Sequence, residues 1–116
     1  MPHLNTRLTH ALGLTHPIMS APMAFAAGGA LAAAVSRAGG LGLIGGGYGD
    51  PAWLEEQLAA AAGASVGVGF ITWSLHRTPS LLTEVLKHQP RAVMLSFGDP
   101  RPFAHEIKDE IGRAHV

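Results

Sequence analysis

The chain has 116 residues, no cysteine and a net charge of zero when histidine is neutral. This length allows one domain with a real core, and the absence of cysteine rules out a disulfide framework and fits a reducing compartment. The eight basic residues are scattered along the chain, which argues against a nucleic-acid partner. The sequence shows neither a signal peptide nor an apolar run long enough to span a membrane. We therefore expect a cytoplasmic protein without a membrane partner.

The first part of the chain predicts one strand and one helix. "PIMSAPMA" indicates a strand over 17–23, although its two prolines cannot donate hydrogen bonds to a ladder. In "GGALAAAVSRAGG" the apolar residues recur at helical spacing. Gly39 and Gly40 predict the end of this helix, where a left-handed residue is common.

Two further strand–helix units follow. "LGLIGGG" predicts a strand over 41–45, and Asp50 and Pro51 then suit the N-cap and first position of a helix that Gly63 ends. The stretch "SVGVGFITWSL" predicts a strand over 65–71. The helix after it is expected to begin near Thr78.

A fourth unit completes the pattern, with a strand over 92–97 and a helix that begins near Asp99 and Pro100. Alternating strands and helices predict a parallel sheet with right-handed crossovers. Two α/β architectures fit this pattern: a small doubly wound sheet, or half of an eight-stranded (β/α) barrel. We expect the barrel arrangement, in which the strands neighbour one another in sequential order.

Small residues follow every predicted strand, in "APMAFAAGG", "GGGYGD", "TWSLHR" and "FGDP". In a parallel fold these loops meet at the carboxyl ends of the strands, where ligands bind. Small residues there allow a ligand to approach the backbone closely. No "GxGxxG" opens the first helix and no P-loop motif occurs, so neither a simple dinucleotide site nor a P-loop site is predicted.

Four segments together resemble a known family: "PIMSAPM", "LAAAVSRAGGLGLIGGG", "VGVGFITW" and "VMLSFGDP". They are similar to the nitronate monooxygenases, once called 2-nitropropane dioxygenases, which are FMN-dependent (β/α)8 TIM barrels. The resemblance runs from about Leu8 to Asp109. Flavin-dependent enoyl-reductases and NADH:quinone reductases share it in weaker form. It implies that residues 1–109 are the first four β/α units, the N-terminal half of an FMN-binding barrel.

The resemblance also implies flavin contacts at strand ends, carried over to Ala21, Pro22, Met23, Gly69, Thr72 and Ser96, with Trp73 beside them. Gly69 stands where many relatives have an asparagine near the flavin. The catalytic histidine and the phosphate-binding glycines of the family lie later than this chain reaches. None of the seven histidines is therefore predicted to be catalytic, and no spacing suggests a metal site.

The resemblance implies an FMN-dependent oxidoreductase that oxidises alkyl nitronates with molecular oxygen. Two alternatives remain open: an NAD(P)H-dependent flavin reductase of the enoyl- or quinone-reductase type, and a non-catalytic half-barrel that binds flavin or oligomerises. We expect the chain alone to be inactive. Its interior strand faces would be exposed, so homo-oligomers are expected.

The last seven residues, "EIGRAHV" at 110–116, do not continue the family pattern. They match what a common sequencing-library adapter encodes in one reading frame. We therefore expect 110–116 to be an atypical tail that is not native sequence.

Overall fold

The structure is a computed structural model and describes residues 4–111. Its centre is a parallel three-stranded sheet in the order β1–β2–β3, formed by Leu43–Gly45, Gly67–Ile71 and Val93–Ser96. The helices, in chain order, are α1 (Arg7–Leu12), α2 (Gly29–Arg37), α3 (Pro51–Ala60), α4 (Thr72–Leu75), α5 (Ser80–Leu86) and α6 (Arg101–Ile111). None of the helices within residues 4–111 is long and apolar enough to cross a membrane.

The strand predicted over 17–23 shortens to a single parallel bridge between Met19 and Leu41. The ladder stops there because the Ser20 hydroxyl, rather than a main-chain carbonyl, accepts the hydrogen bond of the Leu43 amide at 3.2 Å. Pro22 then has no N–H to offer. The bridge still places this segment next to β1, so the strand order is sequential and parallel, as predicted.

The helix ends follow the predicted local signals. The Asp50 carboxylate accepts hydrogen bonds from the amides of Ala52 and Trp53 at 3.0 and 3.2 Å, and Pro51 is the first residue of α3. After α2, Gly39 has a φ of 108°. Two short helices were not predicted: α1, and α4, which turns the chain sharply at the end of β2.

One face of the sheet packs against the helices α2 to α6, and the other is the face that would line the interior of the predicted barrel. The helix-facing side chains form the main core with α3, α5 and α6 and include Ile44, Val68, Phe70, Val93 and Leu95. Strand residues alternate between faces, so the interior face carries the residues between these. There Leu41 and Leu43 pack against Leu12 of α1.

This second cluster corrects the expectation that the interior strand faces would be exposed. Leu41 and Leu43 are fully buried. They are covered because α1 lies across the amino end of the sheet, and Arg91 fixes that helix by donating to the Leu12 carbonyl at 3.1 and 2.9 Å. The large apolar side chains that are exposed lie instead in loops and helices, including Ile18, Met23, Phe25 and Phe97.

Candidate functional site

The four loops that follow the strand ends lie at the carboxyl edge of the sheet, which we call the rim. It comprises residues 21–28 after the Met19 bridge, 46–50 after β1, 72–78 after β2 and 97–100 after β3. Because the strands are parallel and sequential, the four loops come from neighbouring strand ends. The rim is therefore the place where one ligand can contact all four units.

The first rim loop lies across the end of β1 and the middle of β2. A Cβ added to Gly69 would overlap the ring of Pro22, and one added to Gly45 would overlap the Met23 carbonyl oxygen. Glycine at both positions therefore lets residues 22–23 rest directly on the sheet backbone. The Met23 side chain is 54% exposed. Ala21 is exposed as well, and Pro22 is half-buried.

The other predicted contact residues differ in how accessible their side chains are to a ligand. Thr72 is completely buried, and its hydroxyl has no hydrogen-bond partner among the described residues. It lies under the loop after β3, since a Cβ added to Gly98 would come within 2.9 Å of the Thr72 Cβ. Ser96 is half-buried at the end of β3. The structure thus brings Ala21, Pro22 and Gly69 together, whereas Thr72 is shielded from the surface.

A row of aromatic rings runs along the rim. Phe25, Tyr48 and Trp73, which we call the aromatic row, come from three successive loops, and neighbouring ring centroids are 6.1 Å apart in both pairs. Trp53 of α3 contacts Phe25 edge-on at 5.9 Å. Of the three rings, Trp73 was predicted from the sequence as a candidate beside the flavin, whereas Phe25 and Tyr48 were not. The signal for the row was present, because an aromatic residue follows each strand end within a few positions.

Two rim phenylalanines have unusual backbone angles. Phe25 has a φ of 62° and Phe97 a φ of 58°, and the Phe97 side chain is 77% exposed. Bulky residues rarely adopt this left-handed region, and such strain concentrates at ligand sites and switch regions. These angles therefore mark the first and last loops as functional candidates.

The charged groups of the rim are mostly engaged. Arg101 binds Asp99 through both carboxylate oxygens, with its Nη2 at 2.8 Å from Oδ2. These hydrogen bonds lower the pKa of the Asp99 carboxyl from 3.8 to about 2. The His76 ring contacts Phe103 in a tilted arrangement, with 4.8 Å between the ring centroids. Within residues 4–111 no group of histidine, aspartate and glutamate side chains could hold a metal ion.

The opposite end of the sheet also has a cleft, beside Arg91, Thr15 and Ser65. The Arg91 guanidinium there is already engaged with the end of α1. We assign this cleft a structural role, since the group that gives it charge holds the fold together.

Solved structures confirm the fold class. FabK from Thermotoga maritima superimposes with a TM-score of 0.83 and 31% sequence identity, and a point variant of it gives a TM-score of 0.84. The matches cover 96% of this chain but 36% and 38% of those chains. The fold is therefore that of part of a TIM barrel, which is consistent with the predicted half-barrel, and this chain spans less than two fifths of the length of those chains.

The family follows from the sequence comparison. The family model described as nitronate monooxygenase matches residues 5–70, more than half of the chain, and the chain belongs to that family. Similar proteins named "Probable nitronate monooxygenase" occur in Staphylococcus saprophyticus (46% identity over 55 residues) and Staphylococcus haemolyticus (41% over 59 residues). These matches cover 47% and 51% of this chain and 16% of each relative.

Proposed function

We propose that this chain is part of an FMN-dependent oxidoreductase that oxidises alkyl nitronates with molecular oxygen. Membership of the nitronate monooxygenase family supports the reaction class. The observation that carries the proposal is the apolar surface of residues 21–23, which rests on Gly45 at the end of β1 and on Gly69 within β2, where any side chain would displace it.

This surface fits the ring end of a flavin. Pro22 presents a rigid ring without an N–H, and Met23 presents an exposed, polarisable thioether. The aromatic row continues the apolar surface along the rim. In our proposal Ala21, Pro22 and Met23 contact the isoalloxazine, and Gly69 allows that contact indirectly by accommodating Pro22.

The chemistry would be divided between cofactor and protein. Bound FMN supplies the electron transfer from nitronate to oxygen, and the protein binds, orients and shields the reactants. In the proposed site the chain's own residues hold the ring at the strand ends and keep one side of it dry. Thr72 would hydrogen-bond a ligand only if the loop 97–100 moves away from it, because its side chain is buried beneath that loop. Ser96, half-buried at the end of β3, is the second proposed polar contact.

The same proposal covers the domain organisation. We place residues 1–109 in the N-terminal half of an FMN-binding barrel, supported by the 96% coverage of this chain in the FabK superposition. The helix α6 continues past this boundary to Ile111, whose side chain packs against the main core. Residues 112–116 of the predicted atypical tail lie outside the described residues, so the tail boundary remains a prediction.

The experiment that tests the function uses protein made from the complete gene. We expect the purified protein to be yellow, to release FMN on denaturation and to consume oxygen when an alkyl nitronate is added. NAD(P)H oxidation without nitronate-dependent oxygen uptake would instead support the flavin reductase. A colourless protein that takes up no added FMN would refute both enzymes and leave the non-catalytic half-barrel.

A further inference from the structure

The aromatic row ends at a positive charge. The Arg77 guanidinium carbon lies 5.1 Å from the centre of the Trp73 ring, and Trp73 contacts Tyr48 at 6.1 Å. Arg77 is exposed. A guanidinium over a ring face is held flat by the cation–π interaction, which leaves its remaining N–H groups free to bind an anion in the plane.

The neighbouring charges make Arg77 the available cation of the rim. Asp99 is paired with Arg101, and the Asp50 carboxylate accepts two amides at the start of α3. Among the described residues, Arg77 forms no ion pair with an acidic side chain. A ligand that enters along the rings would therefore meet an uncompensated positive charge at their end.

We propose that Arg77 and the aromatic row form a subsite for the anionic substrate, with Arg77 as the residue that sets the preference for an anion. This inference rests on the proposed function, because a nitronate is a planar anion that carries an apolar substituent. The nitronate oxygens accept hydrogen bonds from Arg77, and the alkyl substituent lies on Trp73 and Tyr48. The ring surfaces then favour longer substituents, since each buried methylene adds favourable apolar contact.

The kinetic test compares Arg77→Gln, Arg77→Lys and, as a matched control, Lys108→Gln on the outer helix α6. All are made in the complete, flavin-loaded protein. We expect Arg77→Gln to raise KM for hexyl nitronate about tenfold, the size of one charge-assisted hydrogen bond, while kcat changes little. Arg77→Lys should recover part of the loss, and the control should match the wild type. An unchanged KM in Arg77→Gln would overturn the proposal.

FMN affinity separates this role from a cofactor role. We expect Arg77→Gln to bind FMN as tightly as the wild type in a fluorescence titration. Weaker FMN binding with an unchanged nitronate KM would assign Arg77 to the cofactor phosphate and would also overturn the subsite.

A binding measurement keeps the subsite testable if the proposed reaction fails. Calorimetric titration compares hexanoate with its neutral counterpart hexanamide. We expect the wild type to bind hexanoate about tenfold more tightly and Arg77→Gln to lose this preference. If the wild type oxidises no nitronate but binds hexanoate more tightly than hexanamide, the proposed reaction is refuted and the anion subsite stands. A wild type without that preference would refute the subsite.

Discussion

Pro22 occupies the space that a side chain at position 69 would need. Its ring rests on the Gly69 backbone in the middle of β2, while the Met23 carbonyl rests on Gly45 at the end of β1. The contact explains why position 69 of this chain requires a glycine. In this chain the position supports the first rim loop instead of presenting a polar side chain.

Gly69→Ala should therefore destabilise the fold through this one contact. The added methyl overlaps the proline ring, and overpacking of this kind costs about 1–3 kcal/mol. Pro22→Ala in the same chain should recover part of the loss, because it removes the Cγ, one of the two ring atoms that collide, while the Cβ remains. The check is a double-mutant cycle in urea on protein from the complete gene. Strictly additive effects would show that the two residues do not interact.

Met23 tests the flavin contact directly. In Met23→Asp a carboxylate would lie against the ring without a partner, so FMN affinity should fall at least about tenfold because of the cost of desolvating the charge. Leu4→Asp is the matched control, since Leu4 is also exposed (67%) but precedes α1, which covers the opposite, amino end of the sheet. Retention of stoichiometric FMN by Met23→Asp would show that this side chain does not face the cofactor.

At the scale of helices and strands, the sequence predicted those element ends that are fixed by interactions within one helical turn. The start of α3 was predictable because Asp50 and Pro51 act within one turn. The first strand was predicted too long, because its ladder ends through the contact of the Ser20 side chain with a distant amide. The helix α1 was missed because its six residues give little periodic signal, and its role depends on packing against Leu41 and Leu43.

The start of α6 depends on Asp99, and its pH dependence follows from the lowered pKa. The carboxylate accepts hydrogen bonds from the Arg101 amide at 3.0 Å and from its guanidinium. Because its pKa in the folded state is about 2, below the ordinary 3.8, the stabilisation is complete only about one pH unit above 3.8 and declines as the pH falls below that. It disappears as the pH falls through 2.

Thermal unfolding measured from pH 7 to pH 2 can test the direction of this pH dependence. Asp99→Asn should unfold at a slightly lower temperature than the wild type near neutral pH, since exposed ion pairs contribute little. The difference should vanish toward pH 2. A difference that grows as the pH falls would contradict the assignment of the pair.

At the scale of the whole molecule, the two ends of the sheet differ: apolar side chains are covered at the amino end and exposed at the carboxyl end. The amino end of the sheet is covered by α1, so the interior leucines are buried. The carboxyl end exposes Met23 and the rings of the rim. The sequence predicted the half-barrel from its strand–helix rhythm, but it could not predict this asymmetry, because the covering depends on the long-range contact between Arg91 and α1.

The 116-residue chain expressed by itself should associate and should lack activity. Within residues 4–111, β3 pairs with β2 along one edge and with no strand along the other, and an open edge invites pairing with another chain. Ile18, beside the opposite edge, is 60% exposed. Each large apolar side chain left in water forgoes about 1.5–3 kcal/mol of burial. A few such side chains therefore amount to a large part of the free energy of unfolding of a domain, which is about 5–15 kcal/mol.

Sizing chromatography of the 116-residue chain with a flavin absorbance trace should show dimers or larger species without FMN. A sharp monomer peak that carries FMN and oxidises a nitronate would refute this, and would make the first four β/α units sufficient for the reaction.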